Sequence, residues 1–174
     1  MRLFVAINFD RITIENIAAV QGRLRELGRG NFSRPENLHL TLAFLGEIEP
    51  NRVPAVKRAM EATPIKPMEL PFDRVGCFPR DGGDIWWIGL SDSPALLKLQ
   101  GALSDRLLKE GFALESRKFS PHITLAREVH LNSKPDRDHL LGRPFSARAD
   151  AMRLMRSERI DGKLTYTEQF SVRA

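Results

Sequence analysis

His39-Leu40-Thr41-Leu42 and His122-Ile123-Thr124-Leu125 spell one word, H-x-T-L with an apolar residue at x. The chain has four histidines in 174 residues, and two of them stand in this word. Side chains two apart on a strand share a face, so each word presents an imidazole beside a hydroxyl. Imidazole is the side chain best matched to proton transfer near neutral pH. Two imidazoles on one ligand divide the labour: a neutral one takes a proton from water, and a charged one protonates a leaving oxygen. Each threonine hydroxyl can donate to an anionic oxygen. A phosphodiester needs all of this at once: an activated nucleophile, a protonated leaving group and stabilised nonbridging oxygens.

Composition alone would produce this duplication roughly once in ten thousand such chains. A single histidine in an apolar strand usually reads as a core residue with satisfied ring nitrogens, and a single threonine as ordinary β-propensity. The repeat shifts both readings toward chemistry. Metal binding is the main rival, but zinc sites usually take three or four ligands from His, Cys, Asp and Glu. The chain contains no H-x-x-x-H, H-x-x-E-H or C-x-x-C pattern, so no metal and no cofactor are expected. The words begin 83 residues apart, about half the chain. Two similar halves, each giving one His/Thr pair to a shared cleft, are therefore expected.

Arg127 follows His122 by five residues and has the planar fork that suits phosphate oxygens. Strict strand alternation puts it on the face opposite His122, so it reaches a phosphate only if the backbone bends first. Phe44 holds the equivalent place after the first word and is expected to pack within its lobe. Arg34 and Arg117, each five residues before a histidine, read as solvated charges flanking the cleft, and His130 and His139 as surface-loop residues. Trp86 and Trp87 should face opposite ways, one into the core and one available to pack or to stack on a base.

The elements that must carry these residues follow in order. Leu3 to Phe9 reads as a buried strand. Asp10 opens a helix with Ile14, Ile17, Ala18, Leu24 and Leu27 inward and Gly28 as its stop. Leu38 to Leu45 is the first H-x-T-L strand, and a shorter helix with Val53, Val56 and Met60 follows. An extended region, Met68 to Phe78, joins through Asp81-Gly82-Gly83-Asp84 to Ile85–Leu90 as a hairpin. Ser93 caps and Pro94 starts a helix with Leu96, Leu99, Leu103 and Leu107 inward, stopped by Gly111. The second word lies in a strand from Phe119 to Ala126. A polar stretch, Glu128 to Arg143, precedes two last strands, Pro144 to Ser157 and Lys163 to Val172. Strand–helix–strand material repeated with hairpins argues for α+β: two lobes, each a small sheet backed by helices, facing across a groove.

Size allows one domain or two tightly packed lobes, and residues 1–174 are read as a single bilobal catalytic domain. The net charge of +5 and pI of about 9.8 suit a polyanionic ligand without deciding for one. One cysteine, Cys77, cannot form an internal disulfide. It reads as a small packed residue in a reducing, cytoplasmic protein. The apolar run after Met1 is short for a signal peptide, and no stretch approaches membrane-spanning length.

These words carry a resemblance. The chain resembles the 2H phosphoesterase superfamily, and within it the LigT-like group of RNA 2′,3′-cyclic phosphodiesterases, also called 2′-5′ RNA ligases. Arg2–Ile7 matches the opening strand, Pro35–Gly46 the first motif, Trp87–Leu90 the middle strand and Pro121–Arg127 the second motif. The tail from Ser157 through Gly162 to Tyr166 also fits. The resemblance implies a bilobal fold with pseudo-twofold symmetry, no metal, and hydrolysis of a terminal 2′,3′-cyclic phosphate on RNA to a 2′-phosphate. It implies His39 as proton donor and His122 as proton acceptor, with Thr41, Thr124 and Arg127 on the phosphoryl oxygens. It also implies that reversal with a 5′-hydroxyl RNA end gives a 2′-5′ linkage. The expected partner is an RNA or oligonucleotide 3′ end bearing the cyclic phosphate, and the expected state is a monomer. An RNA-end binding module without turnover is the alternative from another class. A cyclic nucleotide or a 2′-5′ oligonucleotide as substrate is the alternative within the chemistry.

Overall fold

Leu3, Val5, Ala6 and Ile7 are wholly buried, as expected for a central strand packed on both faces. They lie in β1 (Arg2–Ile7), the start of a computed structural model that describes residues Met1–Ala174. Helix α1 (Arg11–Arg25) follows, capped by the Asp10 carboxylate, which accepts from the Thr13 amide at 2.9 Å. That bond holds the Asp10 carboxyl below its ordinary pKa. Ile17 and Leu24 are fully buried on its inner face; each such side chain contributes about 1.5–3 kcal/mol.

The helix stops at Arg25, short of the expected Gly28, which instead opens strand β2 (Gly28–Phe32). Then come β3 (Leu40–Glu47), α2 (Val53–Glu61), β4 (Met68–Phe72), β5 (Arg74–Phe78), β6 (Asp84–Gly89) and α3 (Pro94–Lys109). Next are β7 (His122–Leu131), α4 (Arg137–Leu141), β8 (Phe145–Ala149), β9 (Ala151–Ile160) and β10 (Lys163–Arg173). The expected extended region 68–78 is two strands, and so is the expected strand 144–157. Their first pieces, β4 and β8, leave the main sheet and pair with each other. The polar stretch extends β7 to Leu131 and then forms α4, capped by Asp136. Ser93 makes no side-chain cap to α3; Pro94 at the first turn supplies the start.

The main sheet has eight strands in the order β10-β9-β1-β3-β7-β6-β5, with β2 added on β7. Its two four-stranded halves meet at a single antiparallel pair, Leu40 opposite Ile123. These are the x residues of the two words, so the seam runs through equivalent positions and marks the pseudo-twofold axis. Both x side chains are fully buried. The alternating neighbours on each strand, His39 with Thr41 and His122 with Thr124, share the opposite face.

Candidate active site

Both words bulge at the same letter. Ala6 pairs Thr41 and Val5 pairs Ala43, which leaves Leu42 as the extra residue on β3. Trp87 pairs Thr124 and Trp86 pairs Ala126, which leaves Leu125 extra on β7. A bulge reverses the facing of everything after it. It is the bend that Arg127 needs: Arg127 now lines one groove with His39, Thr41, His122 and Thr124. The cavity measures ≈ 870 Å³. All five residues singled out for phosphate chemistry therefore meet there.

The bulged carbonyls are caught by glutamines from the helices behind. Gln21 Nε2, on α1, donates to the Leu125 carbonyl and to the Ser33 carbonyl, each at 2.9 Å. Gln100 Nε2, on α3, donates to the Leu42 carbonyl at 3.3 Å. Each helix thus braces the word of the other half. Sequence reasoning passed over both glutamines, because a bulge is a property of two paired strands.

Each imidazole is pinned in the same way. His39 Nδ1–H donates to the Asn37 carbonyl and His122 Nδ1–H to the Ser120 carbonyl, both at 2.7 Å. The acceptors lie two residues before each histidine, so the device repeats with the pseudo-symmetry. These bonds fix the tautomer and leave Nε2 as the reactive nitrogen. Thr41 Oγ1 lies 2.9 Å from His39 Nε2, while the second word has no such bond.

Aromatic rings wall each imidazole. Phe4 and Tyr166 lie 4.8 and 5.1 Å from the His39 ring. Phe78 and Trp87 lie 5.2 and 6.1 Å from the His122 ring. Burial among these rings pushes both histidines below their ordinary pKa, against the raising effect of the carbonyl bonds. The Arg127 charge lowers both further, and His122 lowers His39. Burial pushes the Tyr166 phenol up, opposed by Arg127 and Arg2. Trp87 reaches its place because Gly76 lies directly beneath it; a Cβ there would fall 2.2 Å from the indole. Trp86 is core and Trp87 packs behind His122, so packing takes both.

Phe44 departs from expectation. It is 40% exposed, lies on the groove wall beneath the Arg2 guanidinium at 5.0 Å, and does not pack inside its lobe. The bulge that turns Arg127 inward turns Phe44 as well. Arg34 is tied to Glu36 at 2.9 Å and to the Leu164 carbonyl. His130 and His139 are exposed as expected, but they stand on strand β7 and helix α4 and not in a loop. Burial and the neighbouring Asp84 push the Cys77 thiol up, which makes it a poor nucleophile. No group of three His, Cys, Asp or Glu side chains is placed to hold a metal ion. No helix is long and apolar enough to cross a membrane.

Known proteins resemble this chain in sequence and fold. The 2'-5' RNA ligase superfamily matches residues 11–161. An Archaeoglobus fulgidus protein named RNA 2',3'-cyclic phosphodiesterase is 31% identical over 76% of this chain and 75% of its own length. One of the same name from Methanothermobacter thermautotrophicus is 26% identical over 97% of this chain and 96% of its own. The crystal structure of E. coli LigT complexed with 3'-AMP superposes with a TM-score of 0.85 at 27% identity, covering 99% of this chain and 97% of that one. The chain belongs to the 2'-5' RNA ligase superfamily.

Proposed function

We propose that this protein is an RNA 2′,3′-cyclic phosphodiesterase that opens a terminal 2′,3′-cyclic phosphate to a 2′-phosphate by two-histidine acid–base catalysis without metal. One observation carries the reading: two imidazoles, each pinned at Nδ1 to a carbonyl, turn their Nε2 atoms into one groove. His122 Nε2 takes a proton from water as the new O–P bond forms. The P–O3′ bond breaks, and His39 Nε2–H gives its proton to the departing oxygen. Thr41 and Thr124 donate to the nonbridging oxygens, and the Arg127 fork neutralises the charge that accumulates on them. The depressed pKa of His122 suits a base at neutral pH. His39 starts from the same depression, and the phosphate anion opposes it by favouring the charged imidazolium.

A 2′,3′-cyclic phosphate exists only on ribose, so the partner is an RNA or oligonucleotide 3′ end. Residues 1–174 act as one bilobal domain, as a monomer, in the cytoplasm. In reverse, an RNA 5′-hydroxyl replaces water and a 2′-5′ linkage forms. The test is a short RNA ending in 2′,3′-cyclic phosphate, incubated in EDTA. Conversion to a 2′-phosphate end supports the reading. Binding without conversion would leave only an RNA-end binder, and activity restored by added zinc would overturn the metal-independent mechanism.

A further inference from the structure

The catalytic groove does not end at the histidines. A second cavity, of ≈ 520 Å³, shares Thr41, Phe44, His122, Thr124 and Arg127 with the first and continues toward α3 and the segment 114–120. His39 and Tyr166 line the first cavity alone; His122 lines both. One channel therefore crosses the centre, with one arm beside β10 and another beside α3.

We infer that the α3-side arm is a binding site for a second nucleic-acid strand, the one whose 5′-hydroxyl replaces water. This inference rests on the proposed reaction and on its assignment of His122 as base. In an in-line displacement the attacking and leaving oxygens lie on opposite sides of phosphorus. The leaving O3′ stays tethered to its ribose, so the nucleotide carrying the cyclic phosphate occupies the arm that His39 lines. The attacking oxygen arrives beside His122, and the arm that holds His122 without His39 is the one toward α3.

Charge makes this arm able to hold a strand. Water needs no cationic path, but a strand with phosphates beyond its 5′ end does. Arg80, Arg117 and Lys118 line this arm, and all three are exposed. The one ion pair among them is a loose contact of Arg117 with Glu115 at 3.8 Å. In the opposite arm, Arg156 is held by Glu158 and the Met1 amino group by Glu47, each at 3.3 Å, while Arg2 and Arg159 make no ion pair. Both arms thus carry free cations, and the in-line geometry makes the assignment. Phe78, edge-on to His122 at 5.2 Å, and Phe119 give the α3 arm apolar surface beside the entry point. In the reaction the acceptor O5′–H gives its proton to His122, the O5′–P bond forms, the P–O3′ bond breaks, and O3′ takes the His39 proton. The product is a 2′-5′ diester with a free 3′-hydroxyl.

The test uses one donor RNA with a 2′,3′-cyclic phosphate and a 5′-hydroxyl oligonucleotide as acceptor, with ligation and hydrolysis read in the same tube. Their ratio cancels any loss of folded protein or donor binding. The double variant Arg117→Glu/Lys118→Glu should lower the ligation-to-hydrolysis ratio about tenfold at low salt, the effect of turning two phosphate contacts into repulsions. Rising salt should lower the wild-type ratio as well. An unchanged ratio overturns the assignment. So does a wild-type protein that hydrolyses the donor but forms no 2′-5′ bond at millimolar acceptor. A wild-type protein that does neither overturns the parent reading and this one with it.

Discussion

Gln21 donates to the carbonyl of Leu125, 104 residues away, through a buried hydrogen bond of 2.9 Å. That carbonyl belongs to the bulged residue of the second word, and the bulge is what brings Arg127 to the face of His122. A helix built early in the chain thus holds the register of a catalytic strand built late. Gln21→Leu should remove a buried donor and cost about 1–3 kcal/mol, read by urea unfolding. Turnover should fall in the folded fraction because Arg127 loses its placement. Full activity in that variant would separate the bulge brace from function.

The threonines should matter less than the histidines. Thr41→Val and Thr124→Val each remove a donor to a charged oxygen, worth about 1.5–3 kcal/mol of transition-state stabilisation. Steady-state kinetics should show the loss in kcat/KM, expressed as a free energy. Thr41 also bonds His39, so its variant should alter the pH profile as well, while Thr124→Val should leave the profile's shape in place.

Both histidines titrate below the ordinary value of about 6.5 because the aromatic walls disfavour the charged rings. The unfolded chain therefore binds more protons than the folded one once pH falls below about 6.5. Stability contributed by the neutral imidazoles is complete above that value and is lost as pH falls toward the folded pKa values. Inorganic phosphate favours the charged rings, so it should raise both pKa values. Proton NMR titration of the ring signals, with and without phosphate, reads both directions. Histidine pKa values that stay unmoved by phosphate would contradict a shared anion site.

Gly76→Ala should act on catalysis from the back of the sheet. Its Cβ would fall 2.2 Å from the Trp87 indole, which backs His122. The ring must shift, and overpacking of this kind costs about 1–3 kcal/mol. The His122 NMR signal should move while that of His39 stays. Equal shifts at both histidines would mean that the two aromatic walls are not independent.

The two words, the Asp10 cap and the inward leucines of α3 were all legible in the sequence, since each depends on local chemistry or on one element's periodicity. The strand after Gly28 was not. Gly28 and Gly30 look like breakers, yet they lie against β7 where a Cβ would meet the His130 carbonyl oxygen at 2.2 Å or the Val129 side chain at 2.8 Å. Phe44 was misplaced and Arg127 left conditional for one shared reason. Alternation predicts facing only along an unbroken strand, and both residues follow a bulge. The place of Phe4, Tyr166 and Phe78 beside the histidines is not legible in the sequence, because they converge there from strands distant in sequence.

The proposed mechanism gives His39 and His122 opposite roles on one phosphorus. It is tested most directly by comparing two substrates in two variants. One is the proposed substrate, an RNA 2′,3′-cyclic phosphate. The other is a 3′-deoxynucleoside 2′-(p-nitrophenyl phosphate), whose leaving group departs without a proton. On the cyclic phosphate, His39→Ala and His122→Ala should each lower turnover ~100- to 10,000-fold. On the nitrophenyl ester, His39→Ala should recover most of its rate and His122→Ala should not. Equal defects in both variants on both substrates would contradict the division into acid and base.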